Sequence, residues 1–120
     1  PFIAALIQGN SLHLLLDVAH ARITAANTSA REDEYLAALP LDRVLQIHLS
    51  RHRFEQGRAL GPAMDAHDAL EPEDWEFAAG LLDSLPHLRY ATLEYYKDAT
   101  LLKDQLAMLR QVLTPAKDDR

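Results

Sequence analysis

The sequence predicts an α/β fold of parallel strands alternating with helices, and three observations predict it. Short aliphatic runs recur along the chain: LHLLLDV (Leu12 to Val18), RVLQIHLS (Arg43 to Ser50) and YATLEYY (Tyr90 to Tyr96). Segments with helical spacing of apolar residues lie between and after them, and such alternation implies a parallel sheet joined by crossovers. The 120 residues, 48% hydrophobic and 25% charged, suffice for one domain with a core.

The elements follow in order. Phe2, Ile3, Leu6 and Ile7 recur at helical spacing, and Gly9-Asn10 reads as the helix C-cap. The chain opens without Met and with no N-cap ahead of this pattern, so a piece of a longer protein is expected. The first strand follows at residues 12–18, and ARITAANTS (21–29) reads as a loop. AREDEYLAALP reads as a short helix stopped at Pro40. The second strand spans 43–50. RHRFEQGRALGP (51–62) reads as a basic, solvated loop with two glycines, in which Arg51 or Arg53 has the alternative of gripping an acidic substrate group. AMDAHD (63–68) is a short third strand.

The stretch from Glu71 to Pro86 reads as a helix with Pro72 in its first turn and acids near its positive end. Trp75, Ala78, Ala79 and Leu82 are expected on its inner face. The fourth strand is 90–96. The last helix, 98–113, carries Leu102, Leu106, Leu109 and Leu113 on one stripe, and residues 114–120 are expected to fray. One partial domain, 1–120, accommodates all of this.

Composition removes several classes. No apolar run reaches the ~20 residues of a membrane span, and no signal region opens the chain. There is no cysteine, hence no disulfide and no thiolate site; a cytoplasmic protein fits. The formal net charge of −6 weighs against a nucleic-acid partner and is compatible with carboxylates that bind cations. Neither GxGxxG nor GxxxxGK[ST] occurs, which removes the common dinucleotide and P-loop readings.

Six histidines lead to the candidate site. A strand buried on both faces tolerates charge only at its ends. The first strand ends in Asp17 with His20 three residues on, the second carries His48 and then His52, the third carries Asp65 and His67, and the fourth carries Glu94. In a parallel sheet or barrel these ends share one face, the face that holds the active site in (β/α)-barrels. Imidazole and carboxylate suit zinc, manganese or iron. Each residue alone has a plainer reading: Asp17 as an N-cap, His48 as a hydrogen-bonded core residue, DAHD as a turn. The coincidence of four strands favours a metal site. His13 and His87 lie away from this face, and Trp75, Tyr95 and Tyr96 read as core or rim packing.

The pattern D-x-x-H, H, D-x-H and E in TLE resembles the metal pattern of the xylose isomerase-like TIM-barrel superfamily. LLLDVAH, YLAALPLDRVLQIHLSRH, DAHD…PEDW and TLEYY more closely resemble the multinuclear non-haem iron-dependent oxidative enzymes, which include the methanobactin-biosynthesis iron enzyme. The match runs from about Leu12 to Leu113. IHLSRH departs from the family's IHLAGH at Ser50 and Arg51.

The resemblance implies the C-terminal half of a (β/α)8 TIM barrel. Asp17, His48 and Glu94 would hold one metal, and His20, Asp65 and His67 another. His52 would be an additional ligand or a support behind the ligands. The cofactor would be two or three irons, with zinc or manganese as alternatives. The implied chemistry is oxidation of ribosomally made peptides, often at cysteine, with dioxygen, and often with a peptide-presenting partner protein. A half-barrel would also need its N-terminal half, a second copy or another chain. The rival readings are a metal-dependent phosphodiesterase acting at abasic sites, a sugar isomerase (for which no candidate strand end offers a lysine), and a non-catalytic fragment.

Overall fold

The aliphatic runs form strands because their side chains alternate between a buried face and a face of polar donors. The computed structural model describes residues 2–54 and 62–114. The elements are α1 (Phe2–Gly9), β1 (Leu14–Asp17), α2 (Val18–Asn27), α3 (Glu32–Ala37), a 3-10 turn (Leu41–Arg43), β2 (Val44–Leu49), β3 (Arg51–Phe54), β4 (Ala63–Asp68), α4 (Pro72–Leu82), β5 (Tyr90–Leu93) and α5 (Ala99–Leu113). None of the described helices is long and apolar enough to cross a membrane.

The fold is α/β, with a parallel sheet ordered β1-β2-β5. Asp17 pairs with His48, and His48 with Thr92, so the ends of the three strands are level. Leu16, Ile47 and Leu49 face the helices and join Val44, Leu36, Trp75, Ala78, Leu81 and Leu109 in the core. The opposite face carries Gln46, His48 and Thr92 and has no helix packed on it among the described residues; Leu15 and Tyr90 are exposed there.

Parts of two expected loops are regular structure. Residues 21–27 belong to α2, which buries Ala19, Ala21 and Ala25 rather than a stripe of large side chains. Alanine's high helix propensity and small size let this helix lie close to the sheet without the usual apolar period. Residues 51–54 form β3, whose arginines pair with carboxylates. β3 pairs antiparallel with β4 in a separate two-stranded ribbon. The expected third parallel strand is therefore corrected: 63–68 is a strand but lies outside the parallel sheet. Gly57 and Gly61 of the expected loop, and residues 115–120 of the expected frayed tail, fall outside the described residues, while Thr114 caps α5 on the Arg110 carbonyl.

Helix faces and caps also shift from expectation. In α1 only Ile7 is buried, and the left-handed cap residue is Ser11 (φ 54°), with Leu12 N–H bonding Ile7 O at 3.0 Å. In α4 the inner face is Asp74, Trp75, Ala78 and Leu81, and Ala79 is exposed. In α5 the stripe rotates to Leu102, Gln105, Leu109 and Val112, leaving Leu106 and Leu113 exposed. Gln105 is the cause: its amide takes both backbone groups of Leu70, at 2.9 and 3.1 Å, and docks the helix.

Candidate metal centre

Each donor is delivered by a strand end, by the ribbon or, for His20, by the first turn of α2. Asp17 closes β1 and caps α2 at once: Oδ1 accepts from the His20 N–H at 2.9 Å, while Oδ2 lies 3.5 Å from His20 Nδ1. The plain N-cap reading is correct, and it leaves the second oxygen available. His48 shares its face of β2 with Gln46. Glu94 lies one residue past β5, its N–H held by Leu49 O at 2.9 Å. The ribbon carries Asp65 and His67 to the same place, so all six residues meet although β4 is not in the parallel sheet.

The compact trio is Asp17, His48 and Glu94, each offering a ligand atom within 4.8 Å of the others. His48 Nδ1 is 2.9 Å from Glu94 Oε1. The second trio is joined through one oxygen: His20 Nε2 and His67 Nε2 lie 3.0 and 3.2 Å from Asp65 Oδ2. His67 Nε2 also lies 3.7 Å from Glu94 Oε2, which bridges the trios. That Glu94 oxygen is buried and has no hydrogen-bond partner among the described residues. A buried carboxylate oxygen without a donor is costly, so three carboxylates, three imidazoles and one unpartnered anionic oxygen fit a bound cation.

The charges act on one another. The hydrogen bond to the Asp65 carboxylate raises the His20 pKa above its ordinary value, against burial and with the fields of Asp17, Asp65 and Glu94 adding to it. Burial opposes ionisation of Asp65, yet the His20 bond, the His67 N–H and the imidazole charges hold its carboxyl below the usual range.

His52 pairs in register with Asp65 across the ribbon, but its ring packs edge-on to Phe54 at 5.7 Å. Its Nδ1 is buried without a partner among the described residues, and burial pushes its pKa down. Among the described residues it makes no hydrogen bond to the six donors. Arg51 and Arg53 are committed elsewhere: Arg51 pairs with Asp74 at 2.5 Å and with Glu73 and Glu71, and Arg53 pairs with Asp68 at 2.7 Å. Trp75 and Tyr95 are buried, and exposed Tyr96 sits at the rim, 6.1 Å from the His67 ring. His13 and His87 line a cavity of about 420 Å³ with Arg43 and Arg89, beyond the opposite ends of the strands.

Sequence reasoning missed three supporting residues. Gln46 Nε2 lies 3.0 Å from His48 Nε2 and 3.2 Å from Thr92 Oγ1. The two-residue period of a strand places Gln46 beside His48 and was the available signal. Lys97, four residues past β5, bonds Ala66 O at 2.8 Å and the Asp68 carboxylate. A lysine thus does reach this face, from a loop rather than a strand end.

The family description that matches residues 1–113 is "RiPP precursor modification enzyme MbnB/TglH/ChrH". A UPF0276 protein of Caulobacter vibrioides is 38% identical over 112 residues, covering 90% of this chain and 37% of that protein. A UPF0276 protein of Rhizorhabdus wittichii is 41% identical over 71 residues, 59% of this chain and 24% of its own length. One from Paraburkholderia phytofirmans is 33% identical over 85 residues, 68% and 27% respectively. The chain therefore spans little more than a third of the curated relatives it matches.

Proposed function

The chain belongs to the MbnB/TglH/ChrH family of RiPP precursor modification enzymes, and from that premise we propose that it is the C-terminal half of a (β/α)8 barrel that oxidises ribosomally made peptides with two or three irons. The observation that carries the metal reading is the meeting of six donors around a buried Glu94 oxygen that no hydrogen bond from the described residues satisfies. The half-barrel reading is supported by the parallel sheet, by helices on one face only, and by edge strands β1 and β5 that lack outer neighbours among the described residues. The N-terminal half of the barrel, a second copy or another chain would cover the open edges of this sheet, which expose unpaired backbone.

In this reading Asp17, His48 and Glu94 hold one ion, and His20, Asp65 and His67 hold another. Held by these residues, iron would supply the redox chemistry for oxidising the peptide with dioxygen as the oxidant. The residues of the chain do the positioning. Asp17 keeps one oxygen on the α2 cap and directs the other inward. Gln46 fixes the His48 ring from its far nitrogen. His20, more than half exposed at its side chain, marks the side from which a peptide reaches the site. A peptide substrate, often modified at cysteine, and a protein that presents it complete the proposal. Iron analysis of the intact polypeptide purified without chelator tests it: two or three irons per chain are expected, and no iron, bound or loadable, overturns it.

A further inference from the structure

We propose that Lys97 is a positioning residue that holds the backbone of His67 in its left-handed conformation and so keeps the second trio in register with Glu94. The inference rests on the metal reading above and concerns what maintains that geometry.

His67 has φ 45°, a conformation that a side chain other than glycine rarely adopts. Such a residue persists where its surroundings over-determine it, and the residues on both sides of His67 are pinned. The Ala66 carbonyl accepts from Lys97 Nζ at 2.8 Å, and the Asp68 carboxylate accepts from the same amine. The His67 N–H itself donates to Asp65 Oδ1 at 3.3 Å. Arg53 also holds Asp68, at 2.7 and 2.9 Å, but Arg53 is on β3 and stays within the ribbon. Lys97 comes from the loop after β5, three residues past Glu94. Its amine therefore ties the ribbon that carries Asp65 and His67 to the segment that carries Glu94.

The side-chain chemistry fits this role. An ammonium has three donors on a flexible stem and can serve a carbonyl and a carboxylate together. With two strong acceptors engaged, Lys97 is occupied as a clamp. Without it, His67 can relax to negative φ, and Nε2 leaves its place 3.2 Å from Asp65 Oδ2 and 3.7 Å from Glu94 Oε2. The side chain is 39% exposed and lies outside the core, so its loss leaves the core packing intact.

The test is a Co²⁺ titration of the intact polypeptide, comparing wild type, Lys97→Met and Lys97→Arg by visible absorption. Thermal melting without metal serves as the fold control. The shifted imidazole N–H resonances of the Co²⁺ form report which histidines ligate. Lys97→Met should keep its melting midpoint and its first ion. It should bind the second ion about 10–100-fold more weakly, the usual effect of losing a partner behind a ligand, and should lose the resonance that His67→Ala also removes. Lys97→Arg, which keeps charge and donors, should stay nearer wild type. If Lys97→Met matches wild type in both ions and in the His67 resonance, the clamp is overturned and the metal reading stands. If wild type binds no Co²⁺, the metal reading falls and the clamp with it.

Discussion

His48 Nδ1 lies 2.9 Å from Glu94 Oε1 although 46 residues separate the two in the chain. Parallel pairing of β2 with β5 produces the contact: His48 is level with Thr92, and Glu94 follows on the same face two residues on. The second Glu94 oxygen is left buried and unpartnered. The site therefore holds more negative charge than its own donors satisfy.

Replacing Glu94 with Gln should separate binding from stability. The amide keeps an acceptor for His48 but gives up the charge, so metal affinity should fall by at least the roughly 10–100-fold that loss of an outer partner costs. The melting midpoint without metal should not fall, because a buried unpartnered anion is removed. Titration with Fe²⁺ and a thermal melt check both halves. A fall in the midpoint would mean that Glu94 stabilises the fold rather than being reserved for an ion.

Gln46 supports the imidazole from the other side, 3.0 Å from His48 Nε2. Gln46→Leu keeps the approximate volume and removes the orienting amide. The expected result is about 10–100-fold weaker binding at the Asp17–His48–Glu94 trio, measured in the same titration. Thr92→Val, which removes only the next group in that chain of hydrogen bonds, should have the smaller effect.

The chemistry-bearing face was legible in the sequence because strand ends are short-range signals. Asp17 and His48 lie at the ends of strands, and Glu94 just past one, that aliphatic runs identify directly. β3 was not legible, since RHRF has the composition of a loop. Its charges are neutralised only by residues far along the chain, Asp74 at 23 positions and Asp68 at 15. α2 was missed for a different reason: it packs through alanines, so large-residue periodicity is absent while helix propensity is high. Asp65 and His67 are expected on the third parallel strand, yet they reach the site from an antiparallel ribbon. Alternation of elements predicts which segments are strands, and long-range pairing decides which sheet each joins.

Ile47 lies between these levels, since it is 1% exposed and sits directly before His48. Ile47→Ala should cost about 2–5 kcal/mol through lost burial and the cavity left behind. Denaturant unfolding of the intact polypeptide measures it. A cost below ~1 kcal/mol would mean that the β2 core is not formed as described.

Asp74 gives the pH dependence. Its side chain is 6% exposed and accepts from Arg22 Nη1 at 3.0 Å, from Arg51 Nη1 at 2.5 Å and from the Glu71 N–H at 3.0 Å. Burial alone would raise its pKa. The Glu71 N–H, the hydrogen bond and charge of Arg51 and the hydrogen bond of Arg22 outweigh burial and hold the carboxyl below its usual range. An unfolded Asp titrates near ~3.9, so between the folded and unfolded values the unfolded chain binds more protons and stability rises with pH. The contribution is complete above the unfolded value and is lost as pH falls through the folded one. Asp74→Asn should cost about 3 kcal/mol at neutral pH, the lower end for breaking a buried pair, because Arg22 keeps Glu32 and Arg51 keeps Glu71 and Glu73. The gap between wild type and variant, measured by urea unfolding, should shrink steadily as the pH is lowered from about 5 toward 2.5. A gap that stays constant over that range would mean that the Asp74 charge contributes nothing and that its caps and packing account for the whole effect.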